Sequence, residues 1–203
     1  MISKFHASAG ITEEKQRRRT LIRDLFRGFD ADSRAVLDRE INARLADLFL
    51  PETGILLGYS ALNDEPDVRP FLGRWLAAGR RLALPAWLEE TRLVPREAKD
   101  IDSGLLPGRG GILEPESVFP DIFVGDVSAI LVPGRAFSEN LGRLGRGLGC
   151  YDRMLASCAA LKIGVAYDFQ VFQTLPLQGN DIRMDMIVTP GRVIGKGAIC
   201  RKP

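Results

Sequence analysis

The segment richest in chemistry runs from Gly142 to Asp152, with four glycines at positions 142, 145, 147 and 149. Without a Cβ, successive backbone N–H groups can converge on one anion. Arg143 and Arg146 fall between these glycines, and a guanidinium grips phosphate oxygens through two parallel N–H bonds. A helix starting near Tyr151 would add its positive end. Asp152 then stands at the helix start, where a carboxylate can hold a magnesium ion that bridges phosphates. The types and spacing together point to a phosphate-bearing nucleotide. The competing reading is a surface loop whose arginines are merely solvated. The segment is not a Walker A loop, because the glycine–lysine–hydroxyl ending is absent. Nor is it the dinucleotide fingerprint, whose spacing and place in the chain differ.

Elements on both sides must position this segment. The apolar run Ser128–Pro133 predicts a buried strand leading into it, and a helix is predicted over 151–161 after it. Strands are expected over 162–166 and, as the last of the chain, 186–189. Upstream, a helix over 12–28 would begin at Thr12 as N-cap, with Glu13 and Glu14 at its positive end. Its apolar stripe would be Leu21, Ile22, Leu25, Phe26 and Phe29. A second helix is expected over 32–48 with Leu37, Ile41, Leu45 and Leu48 inward. A strand over 54–62 precedes a helix over 66–78 that shows Val68, Phe71, Leu72, Trp75 and Leu76 on one face. A further strand is expected over 81–87, and prolines and glycines make 95–120 read as irregular. Strands alternating with helices predict an α/β protein with a parallel or mostly parallel sheet covered on both faces.

Composition bounds the rest. At 203 residues, 45% hydrophobic and 27% charged, the chain can bury a sizeable core and is expected to form one domain over 1–203. A net charge of +2 is too small to indicate a nucleic-acid protein. Cys150, Cys158 and Cys200 form no disulfide framework and fit no zinc spacing, and His6 is the only histidine. A histidine triad is therefore excluded, and any metal would be a hard, oxygen-liganded ion such as magnesium. No stretch reaches the ~20 apolar residues that span a membrane. Met1 to Gly10 lacks a signal peptide's apolar run, so a cytoplasmic location is expected.

The run from Arg143 to Arg153, RLGRGLGCYDR, resembles the signature of the 5-formyltetrahydrofolate cyclo-ligase (methenyltetrahydrofolate synthetase) family, usually close to RLGRGKGYYDR. Other matches follow in the family's order. Lys15 and Arg19 resemble its KxxxR helix, and Glu65-Pro66-Asp67 its acidic segment after a strand. Gly111 to Pro115 matches its GILEP-type stretch, and Leu131 to Phe137 its VPGxAF run. Met184 to Thr189 resembles its terminal VDxIVT strand. The resemblance covers roughly residues 12–190.

The resemblance implies a three-layer α/β/α fold of the NagB/RpiA type around a mostly parallel sheet. It implies an ATP- and magnesium-dependent conversion of 5-formyltetrahydrofolate to 5,10-methenyltetrahydrofolate. Charge and composition set no nucleic-acid or membrane partner beside it, and the sequence does not give the oligomeric state, for which a monomer is the expectation. ATP phosphorylates the formyl oxygen, the neighbouring N10 attacks, the ring closes and phosphate leaves. The protein positions the reactants and neutralises charge on the moving phosphoryl group. Carried over, ATP contacts fall on Lys15, Arg19, Arg143, Gly145, Arg146, Gly147, Gly149 and Tyr151. Folate contacts fall on Glu65, Arg146, Gly147, Leu148, Gly149 and Cys150. Magnesium falls on Asp152 and Asp185, and Arg146 and Tyr151 stand at the reacting centre. Residue-level alternatives remain: a solvated basic helix face for Lys15 and Arg19, a helix-initiating acid for Glu65, a turn or cap for Asp185 and a core aromatic for Tyr151.

The sequence departs from the family pattern at Leu148, where lysine is usual, at Cys150, where tyrosine is usual, and at Asn180, where histidine is common. An aromatic residue near Leu93–Arg96, in the family's substrate wall, is not evident. These departures motivate a second reading, a protein that binds nucleotide or folate without turnover. A nucleic-acid binder using Lys15 to Arg19 is disfavoured by the charge balance and by the lack of interleaved aromatics.

Overall fold

The computed structural model describes residues 2–195 except 49, 52, 91 and 180, with residues 2–9 described by backbone alone. Asn180, Cys200 and the side chain of His6 therefore lie outside the described residues.

The apolar runs form strands buried on both faces. The main sheet has seven strands. In chain order they are β1 (Ile55–Leu57), β2 (Arg81–Glu89), β3 (Arg92–Ala98), β6 (Val127–Val132), β9 (Leu161–Val165), β11 (Met186–Val188) and β12 (Val193–Gly195). Their spatial order is β12-β11-β9-β6-β1-β2-β3. The five central strands are parallel, and β3 and β12 close the edges antiparallel. Side chains alternate between faces with period two. Leu56, Leu82, Leu84, Leu131, Ile163 and Val188 meet α2 (Ala31–Ala46) and α3 (Arg69–Ala77) through Ile41, Leu45, Phe71, Leu72 and Trp75. Ile55, Leu57, Ala83, Ile130, Val132 and Ile187 meet α4 (Cys150–Ala156) through Cys150, Met154 and Leu155. The result is the expected three-layer α/β/α arrangement around a mostly parallel sheet.

A small sheet of β10 (Val171–Phe172), β7 (Ala136–Ser138) and β8 (Arg143–Leu144) carries the glycine-rich segment. The long α1 (Ile2–Arg27) packs on it, with Ile22 fully buried against Ala136, Leu144 and Leu175. This contact decides which helix face looks at the loop, and with it where Arg19 points.

Several local expectations need correction. Thr12 is no N-cap, because α1 already runs through it. Glu13 and Glu14 instead pair with Arg17 and Arg18 one turn on, at 2.9 Å each. Leu21 and Leu25 are exposed, so the inward stripe narrows to Ile22, Phe26 and, just past the helix, Phe29, which packs on Tyr167 and Phe169. The region 95–120 is irregular only in part. It completes β3 and then folds as a hairpin of β4 (Leu105–Pro107) and β5 (Leu113–Pro115). The helix after the loop ends at Ala156, short of 161. Strand β11 is not the last, because β12 returns antiparallel beside it.

Candidate active site

Strand β1 pairs with β6 on one side and β2 on the other, so the chain reverses its winding here. In α/β sheets such a switch point opens a crevice at the carboxyl ends of the strands. A cleft of about 710 Å³, partly open to solvent, lies there. Its walls come from Tyr59 and Ser60 after β1, Pro85 and Trp87 on β2, Leu93 on β3, Pro133 and Gly134 after β6, and the loop from Arg143 to Asp152.

Loop shape follows from its glycines at two positions. Gly147 and Gly149 have φ of +109° and +66°, values that an L side chain rarely adopts. Gly149 forms the left-handed lead into α4. Arg143 is 4% exposed and lies beneath the loop as a strut. It donates to Pro133 O at 3.2 Å and to Asp152 Oδ1 at 2.9 Å. Its guanidinium sits 5.6 Å from the Tyr151 ring centre. The buried surroundings of Tyr151 raise its phenol pKa, so at neutral pH it is a donor and not a base.

Arg146 reaches out of the loop in the other direction. It ion-pairs with Asp64 and donates from Nε to Glu65 Oε1 at 3.1 Å. Glu65 is 6% exposed, and its Oε2 accepts from Leu62 N at 3.1 Å. It does not initiate α3, which begins four residues later at Arg69. Arg146 also borders a second, more open cleft of about 1000 Å³, shared with Arg23, Arg27 and Asp64. An apolar cleft and a cationic one thus meet at a single arginine.

Arg19 donates to Gly145 O at 2.9 Å, and its guanidinium lies 3.6 Å from where a Cβ of Gly147 would stand. Burial lowers its pKa, and Asp181 opposes that shift. Lys15 sits one turn away and is spoken for differently, with Nζ 2.6 Å from Asp181 and 3.4 Å from Gln178. Leu148 and Cys150 line the cleft, the first 64% exposed and the second buried.

The two aspartates expected to share magnesium are not brought together. Asp152 borders the cleft. Asp185 lies at the other end of the strands, where its N–H donates to Lys162 O (2.8 Å) and its Oδ2 accepts from Lys162 N (2.7 Å). The carboxylate serves as a cap between β9 and β11. Among the described residues no group of three His, Cys, Asp or Glu could hold a metal ion by itself.

The aromatic wall missing near Leu93–Arg96 is supplied by Trp87, which pairs in register with Leu93 across β2 and β3. Its backbone N–H donates to Glu114 Oε2 at 2.7 Å, which explains the glutamate in the Gly111–Pro115 stretch. Sequence reading placed Trp87 on a strand and overlooked it as a site residue. Its place at the carboxyl end of a strand beside the switch point was the available signal.

The 5-formyltetrahydrofolate cyclo-ligase family matches residues 11–190. The chain belongs to this family. The 5-formyltetrahydrofolate cyclo-ligase of Mycolicibacterium smegmatis is 31% identical over 142 residues, covering 67% of this chain and 73% of the relative. That of Escherichia coli strain K12 is 30% identical over 146 residues, covering 66% and 77%. The solved structure of 5,10-methenyltetrahydrofolate synthetase from Aquifex aeolicus superposes with a TM-score of 0.77 at 31% identity, covering 89% of this chain and 92% of that one. The family is one of ligases in folate metabolism, in accord with a site that offers positioned cations.

Proposed function

We propose that this chain converts 5-formyltetrahydrofolate to 5,10-methenyltetrahydrofolate, with ATP going to ADP and phosphate. The observation that carries the reading is the meeting of an apolar cleft and a cationic cleft at Arg146. The reaction needs a flat, weakly polar pterin and a polyanion brought to contact, and Arg146 stands where they would touch. Trp87, Leu93 and Ile112 offer a surface for the aromatic part of the folate. Glu65, nearly buried, offers a carboxylate to the donor-rich edge of the pterin. Arg19, Arg146 and the backbone of Gly145, Gly147 and Gly149 would hold the phosphates. Arg143 holds the loop from below and fixes the carboxylate of Asp152.

The formyl oxygen is a poor leaving group until it is phosphorylated. Bond formation from that oxygen to the γ-phosphorus breaks the bond to ADP. N10 then bonds to the formyl carbon and loses its proton, and the C–O bond breaks with phosphate as the leaving group. The residues named supply alignment and countercharge. Tyr151, kept protonated, can donate to an oxygen of either reactant.

Magnesium fits the site as a companion of the nucleotide. This ion keeps several waters and binds through one or two carboxylates plus substrate phosphates. Asp152 is the carboxylate in the cleft for that role, and the bound ion would neutralise phosphate charge. Asp185 is committed to Lys162 and is left out. Among the described residues no helix is long and apolar enough to cross a membrane. We propose a cytoplasmic location, a reading supported by the sparse, odd set of cysteines.

The deciding assay mixes the protein with 5-formyltetrahydrofolate, ATP and magnesium and follows the methenyl product by its near-ultraviolet absorbance. A rise that needs all three and is lost in Asp152→Ala supports the reading. Binding of both substrates with no rise would replace it with a binding protein that does not turn over.

A further inference from the structure

One cation beside Arg146 has no part in the reaction as described above. Arg135 follows Gly134 at the carboxyl end of β6 and occupies the variable position of the VPGxAF run. Its backbone is held on both sides: its N–H donates to Leu144 O at 2.8 Å, and its carbonyl accepts from Gln170 Nε2 at 3.1 Å. The side chain, 15% exposed, pairs with Asp64 Oδ2, while Oδ1 of the same carboxylate takes Arg146. Arg19 and Arg23 of α1 stand close by. Burial first, then Arg146, Arg23 and Arg19, lower the pKa of Arg135 to about 10, which still leaves it cationic at neutral pH.

This constellation is unbalanced. Four guanidiniums gather here, and the acids in direct contact with them among the described residues are Asp64, Glu65 and, at 3.8 Å from Arg23, Asp24. Asp64 alone is bracketed by two arginines. One oxygen on each of two guanidiniums is also how a phosphate is gripped. Like charges in partly desolvated surroundings disfavour one another unless an anion joins them. The cationic cleft opens at this spot, bordered by Arg23, Arg27, Asp64 and Arg146. The loop itself lacks a cation at Leu148, where the family signature carries lysine.

We infer that Arg135 is a further phosphate-binding residue, held ready by Asp64, which yields both Arg135 and Arg146 to the polyphosphate of the incoming nucleotide. The inference rests on the ATP reading given above. Asp64 is a placeholder: it carries one negative charge, and a triphosphate carries several, so the arginines exchange a weaker partner for a stronger one. Asp64 itself then turns to solvent, to which it is already partly exposed.

The two partners must respond in opposite directions. Affinities of the full-length protein for magnesium-ATP, inorganic tripolyphosphate, adenosine and 5-formyltetrahydrofolate are measured by calorimetry. Arg135→Met is expected to weaken ATP and tripolyphosphate binding by about ten- to a hundredfold, the worth of a charge-assisted contact. Adenosine and folate binding should stay unchanged, and Arg135→Lys should recover part of the loss. Asp64→Asn is expected to bind ATP as well as the parent or more tightly, because it removes the competitor. Equal ATP affinity in Arg135→Met and the parent would overturn the inference. So would an Asp64→Asn variant, folded by circular dichroism, that loses ATP affinity as Arg135→Met does, for then the pair only braces the loop. A parent that binds tripolyphosphate in an Arg135-dependent way but not ATP would sink the ATP reading and leave the anion site standing. A parent that binds neither would sink both.

Discussion

Replacing Arg143 by methionine tests whether this arginine braces the loop. Methionine keeps much of the stem's volume and deletes the guanidinium. Two bonds go with it, to Pro133 O at 3.2 Å and to Asp152 at 2.9 Å. Breaking a buried pair by removing one partner costs ~3–5 kcal/mol. Here the arginine side chain is 3% exposed but the aspartate 23%, so water relieves part of the penalty and ~2 kcal/mol is the better figure for the pair. The carbonyl contact adds ~1 kcal/mol. A loss of about 3 kcal/mol lowers the melting temperature of a chain this size by about 6–12 °C. The assay is denaturant unfolding of the parent, Arg143→Met, Asp152→Asn and the double variant. The double variant should be more stable than the sum of the singles predicts, by at least ~1.5 kcal/mol, because the two residues stabilise through each other. A single-variant cost under ~1 kcal/mol, or additive losses, would refute the strut and return Arg143 to the role of a free phosphate grip.

Three further outcomes follow from separate parts of the molecule. Trp87→Ala should raise the KM for 5-formyltetrahydrofolate about ten- to a hundredfold, the worth of one aromatic stacking surface, and leave that for ATP unchanged; a shift in both would place the wall elsewhere. Gly164→Ala puts a Cβ 2.6 Å from Cε1 of the fully buried Phe137, so overpacking should cost ~1–3 kcal/mol, read as a lower denaturant midpoint with unchanged slope. Asp38 accepts from Tyr167 Oη at 2.6 Å and from Asp67 N at 3.2 Å, yet burial raises its pKa. Its folded form therefore favours the proton, and the stability it lends is lost as pH rises through the raised value. Asp38→Asn, neutral at every pH, should gain melting temperature relative to the parent as pH rises above the ordinary carboxylate range; a difference flat in pH would contradict the shift.

What could be read from the chain and what could not divide along one physical line. Ser128–Pro133 was legible as a strand because both faces of β6 are buried, which leaves a continuous apolar run. The loop was legible because its need for an anion is written in adjacent residues. Contacts between distant segments left no such trace. Strand β3 carries Arg92, Arg96 and Glu97, and only its pairing with β2 makes it a strand. Asp185 has the residue type of a metal ligand, and only the register of β11 on β9 puts it at the wrong end of the sheet. Trp87 sat in a recognised strand, but its service to the cleft depends on Glu114 folding back to hold its backbone. Asp64 and Arg135 are 71 residues apart and signal nothing separately.

The same line separates the departures from the family signature from the contacts that hold the loop in shape. The loop lost a lysine at Leu148 and an aromatic at Cys150, both positions whose side chains border the cleft. What fixes the loop lies beneath it: Arg143 between Pro133 and Asp152, the positive φ of Gly147 and Gly149, and Ile22 of α1 packed on Leu144. A phosphate loop works by presenting donors that are already aligned, so its supports constrain sequence more tightly than any one cation at its rim. A rim charge can be supplied from another segment, provided that segment is rigid. Arg135 meets that condition, because β8 and Gln170 hold its backbone on both sides.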